Sequence, residues 1–394
     1  MIKNQYLIWN GIIKLVKNHT LILIYHLVFS VLLLGVFLKS GTSFLFYMGV
    51  FYISLIGSYI LISFTIPNKK INVTFNIKLI KVPLFSLLTC VSLILIHFIY
   101  LNDLPIIRAI FFNQNIDIIN LRQNISENSN SLINYLMSFN VKSFIPLTLL
   151  YLHIKNKNKF YWMLYILSVL YVFNLMHKSY IIIIHGPIIL YCLIQKRYIY
   201  ILKYALVSSF IIVSLTHKLN QDISKKNYFR YENIEKTSIW NGLLKRILVV
   251  PGATVSGWFE NVPKNLPFLY GKGYGFFCKI KGEKHIKYSK ELYSLIYPNY
   301  SKKGLKGNVN VASFMYDYVN FGLLGLVLSG VLLSVVFTIL EKLFIEDLIM
   351  KLVINIVPVL ILSSQAFTTL LFSGGWALSV ILYFCFIKPT FNNC

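Results

Sequence analysis

Apolar residues in this chain are gathered into long runs, and that feature limits the possible folds more than any other. Runs at 20–38, 44–66, 82–101 and 349–372 are almost free of charge, and each has about the twenty residues a helix needs to cross a hydrocarbon layer of about 30 Å. In lipid every backbone polar group must be satisfied inside the protein, so only helices or closed barrels can span. These runs lack the two-residue alternation of a barrel strand. The expected class is therefore all-α, a polytopic integral membrane protein with about ten transmembrane helices and a large outer-face loop. The spans fall near 20–38, 44–66, 82–101, 132–154, 160–176, 180–195, 198–216, 318–340, 349–372 and 374–388, and the whole chain, 1–394, reads as one transmembrane domain. Only 13% of residues are charged, against roughly a quarter in a soluble domain, which excludes an ordinary water-soluble fold.

The formal net charge is +25, and its placement sets the orientation. Sixteen Lys and Arg residues lie in the short segments on the side of the amino terminus, against Lys39, Arg108, Arg122 and Lys178 in the short segments opposite. Basic residues are retained on the cytoplasmic side. Both termini are therefore expected in the cytoplasm, with the lipid bilayer, not nucleic acid, as the partner of its surface. The first run follows basic residues and precedes no small-residue cleavage site, so it reads as a retained anchor.

Two segments on the outer side are longer than simple connections, 102–131 and 217–317, and long connections commonly carry function. The larger holds seventeen Lys and Arg against seven acidic residues. It reads either as a solvated surface in a lysine-rich protein or as an outer-face site attracting an anionic substrate or headgroup. Within it, 243–259 is apolar enough to lie along or dip into the membrane as an amphipathic helix, led by Lys245 and Arg246 and interrupted at Pro251–Gly252. The following Gly271-Lys272-Gly273-Tyr274-Gly275 is a glycine-rich turn without the strand-turn-helix context of a nucleotide site.

Some polar residues sit where lipid is expected. Lys142 falls near the middle of 132–154, where a lysine costs about 3 kcal/mol and normally faces a protein cavity, with snorkelling to the interface as the alternative. Lys178 stands in the tight outer turn after 160–176. His97, His153 and His185 occur singly on apolar faces, where a hydrogen-bonded core role is the ordinary reading. Cys90, Cys192 and Cys385 fall within spans, leaving Cys278 alone outside without an intramolecular disulfide partner. No Cys or His pair has metal-ligand spacing.

Several of these segments, in order and spacing, resemble the bacterial O-antigen polymerases of the Wzy type, the oligosaccharide repeat unit polymerases. They are Leu121-Arg122 in the first long loop, Lys178-Ser179 followed by Ile181 to Ile184, and Lys245-Arg246 running to Pro251-Gly252. An asparagine-bearing stretch that includes Asn310 then leads into Tyr318-Val319-Asn320-Phe321-Gly322-Leu323-Leu324-Gly325. In the family pattern an acidic residue stands two positions before the tyrosine; here Tyr316 holds that place and Asp317 directly precedes Tyr318. The resemblance implies glycosyl transfer at the periplasmic face, moving a glycan chain from undecaprenyl diphosphate onto another lipid-linked repeat unit. It implies catalytic roles for Arg122, Lys178, Arg246 and Asp317, substrate contacts from Lys142, Lys245, Asn310 and Tyr318, and a chain-length regulator protein as a further partner. No metal or cofactor is expected, since Arg and Lys can hold a diphosphate and no paired carboxylates suit Mg²⁺. A flippase for the same lipid-linked oligosaccharide and an O-antigen ligase are the alternatives; the flippase would ordinarily show two repeated halves, which this chain lacks.

Overall fold

The computed structural model describes residues 16–66, 82–101, 131–175, 177–225, 248–302 and 307–388. Among them the chain is predominantly helical and has no strand. Its helices are α1 (Thr20–Ser40), α2 (Leu45–Thr65), α3 (Val82–Leu101), α4 (Ser131–Phe139), α5 (Ile145–Ile154), α6 (Asn158–Leu175), α7 (Lys178–Ile194) and α8 (Tyr198–Lys225). They continue as α9 (Val250–Asn261), α10 (Gly275–Lys281), α11 (Ser289–Ile296), α12 (Pro298–Lys302), α13 (Met315–Leu343), α14 (Leu348–Ile361), α15 (Phe367–Leu371) and α16 (Trp376–Leu382). Among the described residues, α1, α2, α13 and the stretch Phe367–Cys385 are long and apolar enough to cross a membrane, and shorter apolar helices cover Leu84–Tyr100, Ser179–Ile194, Tyr198–Ser214 and Leu348–Ile361.

The chain forms two compact units. The first takes residues 1–72, 233–351 and 358–370. Here α13 packs along α2 through a seam of small residues. The Ser54 hydroxyl donates to the Val327 carbonyl at 2.8 Å and that of Ser58 to Ser334 Oγ at 2.8 Å, while a Cβ on Gly330 would come within 2.8 Å of the Leu55 amide. Where both solvents, lipid and core, are apolar, helix association depends on such close backbone approach and hydroxyl bonding. The contact of α1 with α9 is tighter still, since a Cβ on Gly252 would lie 2.1 Å from the Gly35 carbonyl carbon.

That contact packs the described part of 243–259 against α1. Pro251–Gly252 does not interrupt the helix: the described backbone is helical from 248 on, π-helical at 248–249 and α-helical through α9, most of which is buried. The apolar run 349–372 also departs from a single span. α14 ends at Ile361, and the chain turns at 362–366 before α15. The freed backbone is satisfied from fifty residues upstream: Ser313 N–H donates to the Leu362 carbonyl at 2.8 Å, and Phe367 N–H to the Ser313 carbonyl at 3.2 Å. Irregular backbone within an apolar layer requires such replacement partners.

The second unit takes 73–232, 352–357 and 371–394. α4 and α5 form one continuous rod joined by a π-helical turn, Asn140–Phe144. The wider turn redirects side chains: Asn140 Nδ2 donates to the Cys90 carbonyl at 3.2 Å and Ser143 Oγ to the Gly375 carbonyl at 2.7 Å. Gly375 has φ of 79°, and a Cβ there would meet Ser143 Oγ at 2.2 Å, so glycine is required on both counts. The three histidines take core roles. His97 Nδ1 bonds Tyr171 at 2.8 Å, His185 Nδ1 bonds Ser208 at 2.7 Å, and His153 Nε2 lies 3.6 Å from Cys192 Sγ.

Candidate functional site

The Tyr318–Gly325 element is the framework on which the glycine-rich turn is built. Asn320 is fully buried and its Oδ1 accepts from two successive glycine amides, Gly271 at 3.1 Å and Gly273 at 3.0 Å. Its Nδ2 donates to the Tyr316 carbonyl at 2.8 Å, so the side-chain amide is satisfied at both ends. Leu269 and Tyr270 add backbone bonds to the Val319 and Asn320 carbonyls at 3.0 and 2.9 Å. Glycine is needed at 273 because a Cβ would stand 2.6 Å from Asn320 Nδ2, and at 271 because φ is +91°. His285 Nε2 donates to the Gly273 carbonyl at 2.8 Å and closes the far side of the loop.

The loop delivers Tyr274 to Asp317. The phenol donates to Asp317 Oδ1, and its ring stacks over Phe321 with centroids 6.2 Å apart. Asp317 is buried in the first turn of α13. That turn does not continue straight into the span. Gly322 has φ 61° and ψ −136°, breaking the helix, and Gly325 passes so close to the Asp317 carbonyl that a Cβ would be 2.0 Å from it. Among the described residues no cation pairs with the Asp317 carboxylate; its partner is a hydroxyl. Burial, and next the Asp317 charge, push the Tyr274 phenol above its ordinary value.

A cavity of about 640 Å³ lies in the same unit, between α1, the start of α9 and the turn after α14. Leu27, Val31, Val250 and Leu360 give it apolar walls, and Thr254, Asn310, Ser363 and Ser364 add polar groups. Asn310 is held there by its main chain, whose carbonyl accepts from Trp258 Nε1 at 3.0 Å.

The sequence-predicted residues separate into groups. Asp317, Tyr318 and Asn310 belong to the first unit. Tyr318 is buried, with its hydroxyl donating to the Val262 carbonyl at 3.0 Å and its ring packed against Phe259 and Tyr47; it supports the loop through packing. Lys142 and Lys178 belong to the second unit, Lys142 half-buried in the π-helical turn and Lys178 opening α7. Arg122, Lys245 and Arg246 lie outside the described residues. Sequence reasoning missed Tyr274 and Asn320. A buried asparagine inside the apolar stretch at the head of α13 was the available signal.

Cys278, on the helix that follows the glycine-rich turn, is buried, with its thiol 3.3 Å from the Lys272 carbonyl. Comparison with protein-family models, with characterised proteins and with solved structures gives no match to this chain.

Proposed function

We propose that this chain is an oligosaccharide repeat unit polymerase of the O-antigen type, a glycosyltransferase acting on undecaprenyl diphosphate-linked glycans at the periplasmic face of a bacterial inner membrane. In this reading it crosses the membrane about ten times with both termini in the cytoplasm. The observation that carries the proposal is a buried carboxylate, Asp317, held by the Tyr274 phenol at the head of the Tyr318–Gly325 element. A carboxylate whose partner is a hydroxyl can exchange that partner for a sugar hydroxyl without breaking an ion pair.

In the reaction, the oxygen of the acceptor hydroxyl bonds to the anomeric carbon of the donor chain while the bond from that carbon to the diphosphate breaks. Asp317 takes the hydroxyl proton as general base, a role worth about 10²–10⁴ in rate. Negative charge develops on the departing diphosphate, and the family resemblance assigns its neutralisation to Arg122, Lys178, Lys245 and Arg246. Asn310 and the apolar cavity beside α1 supply polar and apolar surface for the lipid-linked substrate. Lys142 adds a further cation, and a chain-length regulator protein is the natural partner.

A deletion strain tests the proposal. Surface polysaccharide with a single repeat unit per core supports a polymerase. Unpolymerised lipid-linked units with empty core would identify a ligase instead, and cytoplasmic accumulation a flippase. One observation favours the flippase, namely the interrupted helical path at 362–366 and 372–375, since transporters bind substrate at discontinuous helices.

A further inference from the structure

The short helix α10 is anchored through one side chain. Cys278 is buried, and on either side of it Phe276, Phe277 and Ile280 are 72%, 51% and 68% exposed. Tyr270, on the turn that leads to it, is 74% exposed. Four large apolar side chains on one segment of seven helical residues and its entering turn are a poor fit to water. They are interleaved with cations: Lys272, Lys279, Lys281, Lys284 and Lys287 are all exposed, and between positions 272 and 287 only Glu283 opposes them, meeting Lys272 at 3.6 Å.

We infer that α10 and its flanking turns form an interfacial foot that inserts into the leaflet at the Met315 end of α13 and binds anionic lipid headgroups there. Two observations select lipid as the occupant. The first is continuity. Tyr274, immediately before α10, stacks on Phe321, which is exposed just before the break at Gly322, and beyond that break exposed Leu324, Leu328 and Leu332 follow one another at helical spacing along α13. The foot's apolar side chains thus adjoin the stripe that a membrane-crossing α13 turns toward acyl chains. The second is charge. Aromatic and aliphatic groups with exposed lysines among them match a boundary that is apolar below and anionic above, where amphipathic helices bind by buried apolar area together with headgroup attraction. Phe276, Phe277 and Ile280 occupy the acyl boundary, and the lysines Lys279, Lys281, Lys284 and Lys287 stand among the phosphates. This fixes the depth of the turn that carries Tyr274, and holds whether or not the chain is a polymerase.

Photo-crosslinking of the full chain tests it. p-Benzoylphenylalanine is placed at Phe276, at Ile280 or, as an exposed reference, at Lys290, and the protein is reconstituted in vesicles of phosphatidylethanolamine with phosphatidylglycerol, irradiated and read by mass spectrometry. Lipid adducts at 276 and 280 are expected at about fivefold or more over 290. Replacing Lys279, Lys281, Lys284 and Lys287 by Gln is expected to lower the yield at 276 to that seen in phosphatidylcholine vesicles. All three positions are exposed, so the label leaves the fold intact. Equal lipid yield at the three positions overturns the inference, as does crosslinking of 276 and 280 to polypeptide in place of lipid.

Discussion

Two carboxylates, Asp317 and Glu341, are buried at different points of α13, and the protein treats them in different ways. Glu341 is fully committed. Lys351 Nζ donates to its Oε2 at 2.6 Å and the Leu21 amide to its Oε1 at 2.5 Å, while the same ammonium also donates to the Lys17 carbonyl at 2.8 Å. The carboxylate thereby caps the first turn of α1, where a negative charge is favoured by the helix dipole, and ties α1 to α13 and α14. Asp317 is joined to Tyr274 on a loop, with no described cation beside it. One acid is a structural clamp. The other has a hydroxyl for its partner, and this contrast is why the proposed chemistry is assigned to Asp317.

Breaking the clamp gives the largest expected effect on stability. Lys351→Met leaves Glu341 buried without its cation, at a cost of about 3–5 kcal/mol; thermal unfolding of the purified protein in detergent should show a large drop. The double variant with Glu341→Gln should recover much of it. Wild-type unfolding of the single variant would remove the distinction between the two acids. A smaller effect, about 1–3 kcal/mol, is expected from Gly273→Ala, whose methyl group would press on Asn320. Hydrogen exchange should accelerate across 269–286 while α1 and α2 keep their protection, and uniform protection would show that the loop does not depend on Asn320. Tyr274→Phe should cost only about 0.5–1.5 kcal/mol, the net worth of one hydrogen bond. It should leave protein level unchanged and reduce polymer yield less than loss of Asp317 does. If it abolishes polymer altogether, the phenol takes part in the reaction itself.

The smallest expected effect on stability distinguishes geometry from charge at Arg246. A guanidinium offers a planar fork to two phosphate oxygens, whereas a lysine is a point charge on a pliant stem. Arg246→Lys should therefore lose most polymer at unchanged protein level, and wild-type polymer length would reduce Arg246 to one more charge in a basic loop.

Length and apolarity made α1, α2, α3 and α13 readable in the sequence, because a membrane-length run has few alternative folds. They could not reveal the break at 362–366, whose backbone partners come from Ser313, nor the π-helical turn at Lys142, which depends on contacts with Cys90 and Gly375. The Glu341–Lys351 pair was hidden for the same reason: each residue looks like an ordinary helix-end charge until the turn between α13 and α14 brings them together. At the candidate site, the Tyr318–Gly325 element was visible as a motif and the glycines as a turn. Their union was not, since it rests on one asparagine amide reaching two glycine N–H groups across forty-seven to forty-nine residues of chain.

The central claim is tested most directly by returning Asp317→Asn and Glu341→Gln separately to a deletion strain and comparing surface polysaccharide with membrane protein level. The account predicts that Asp317→Asn accumulates at wild-type level yet yields single repeat units only, whereas Glu341→Gln loses polymer in proportion to lost protein. A wild-type polymer ladder from Asp317→Asn at matched protein level would contradict it.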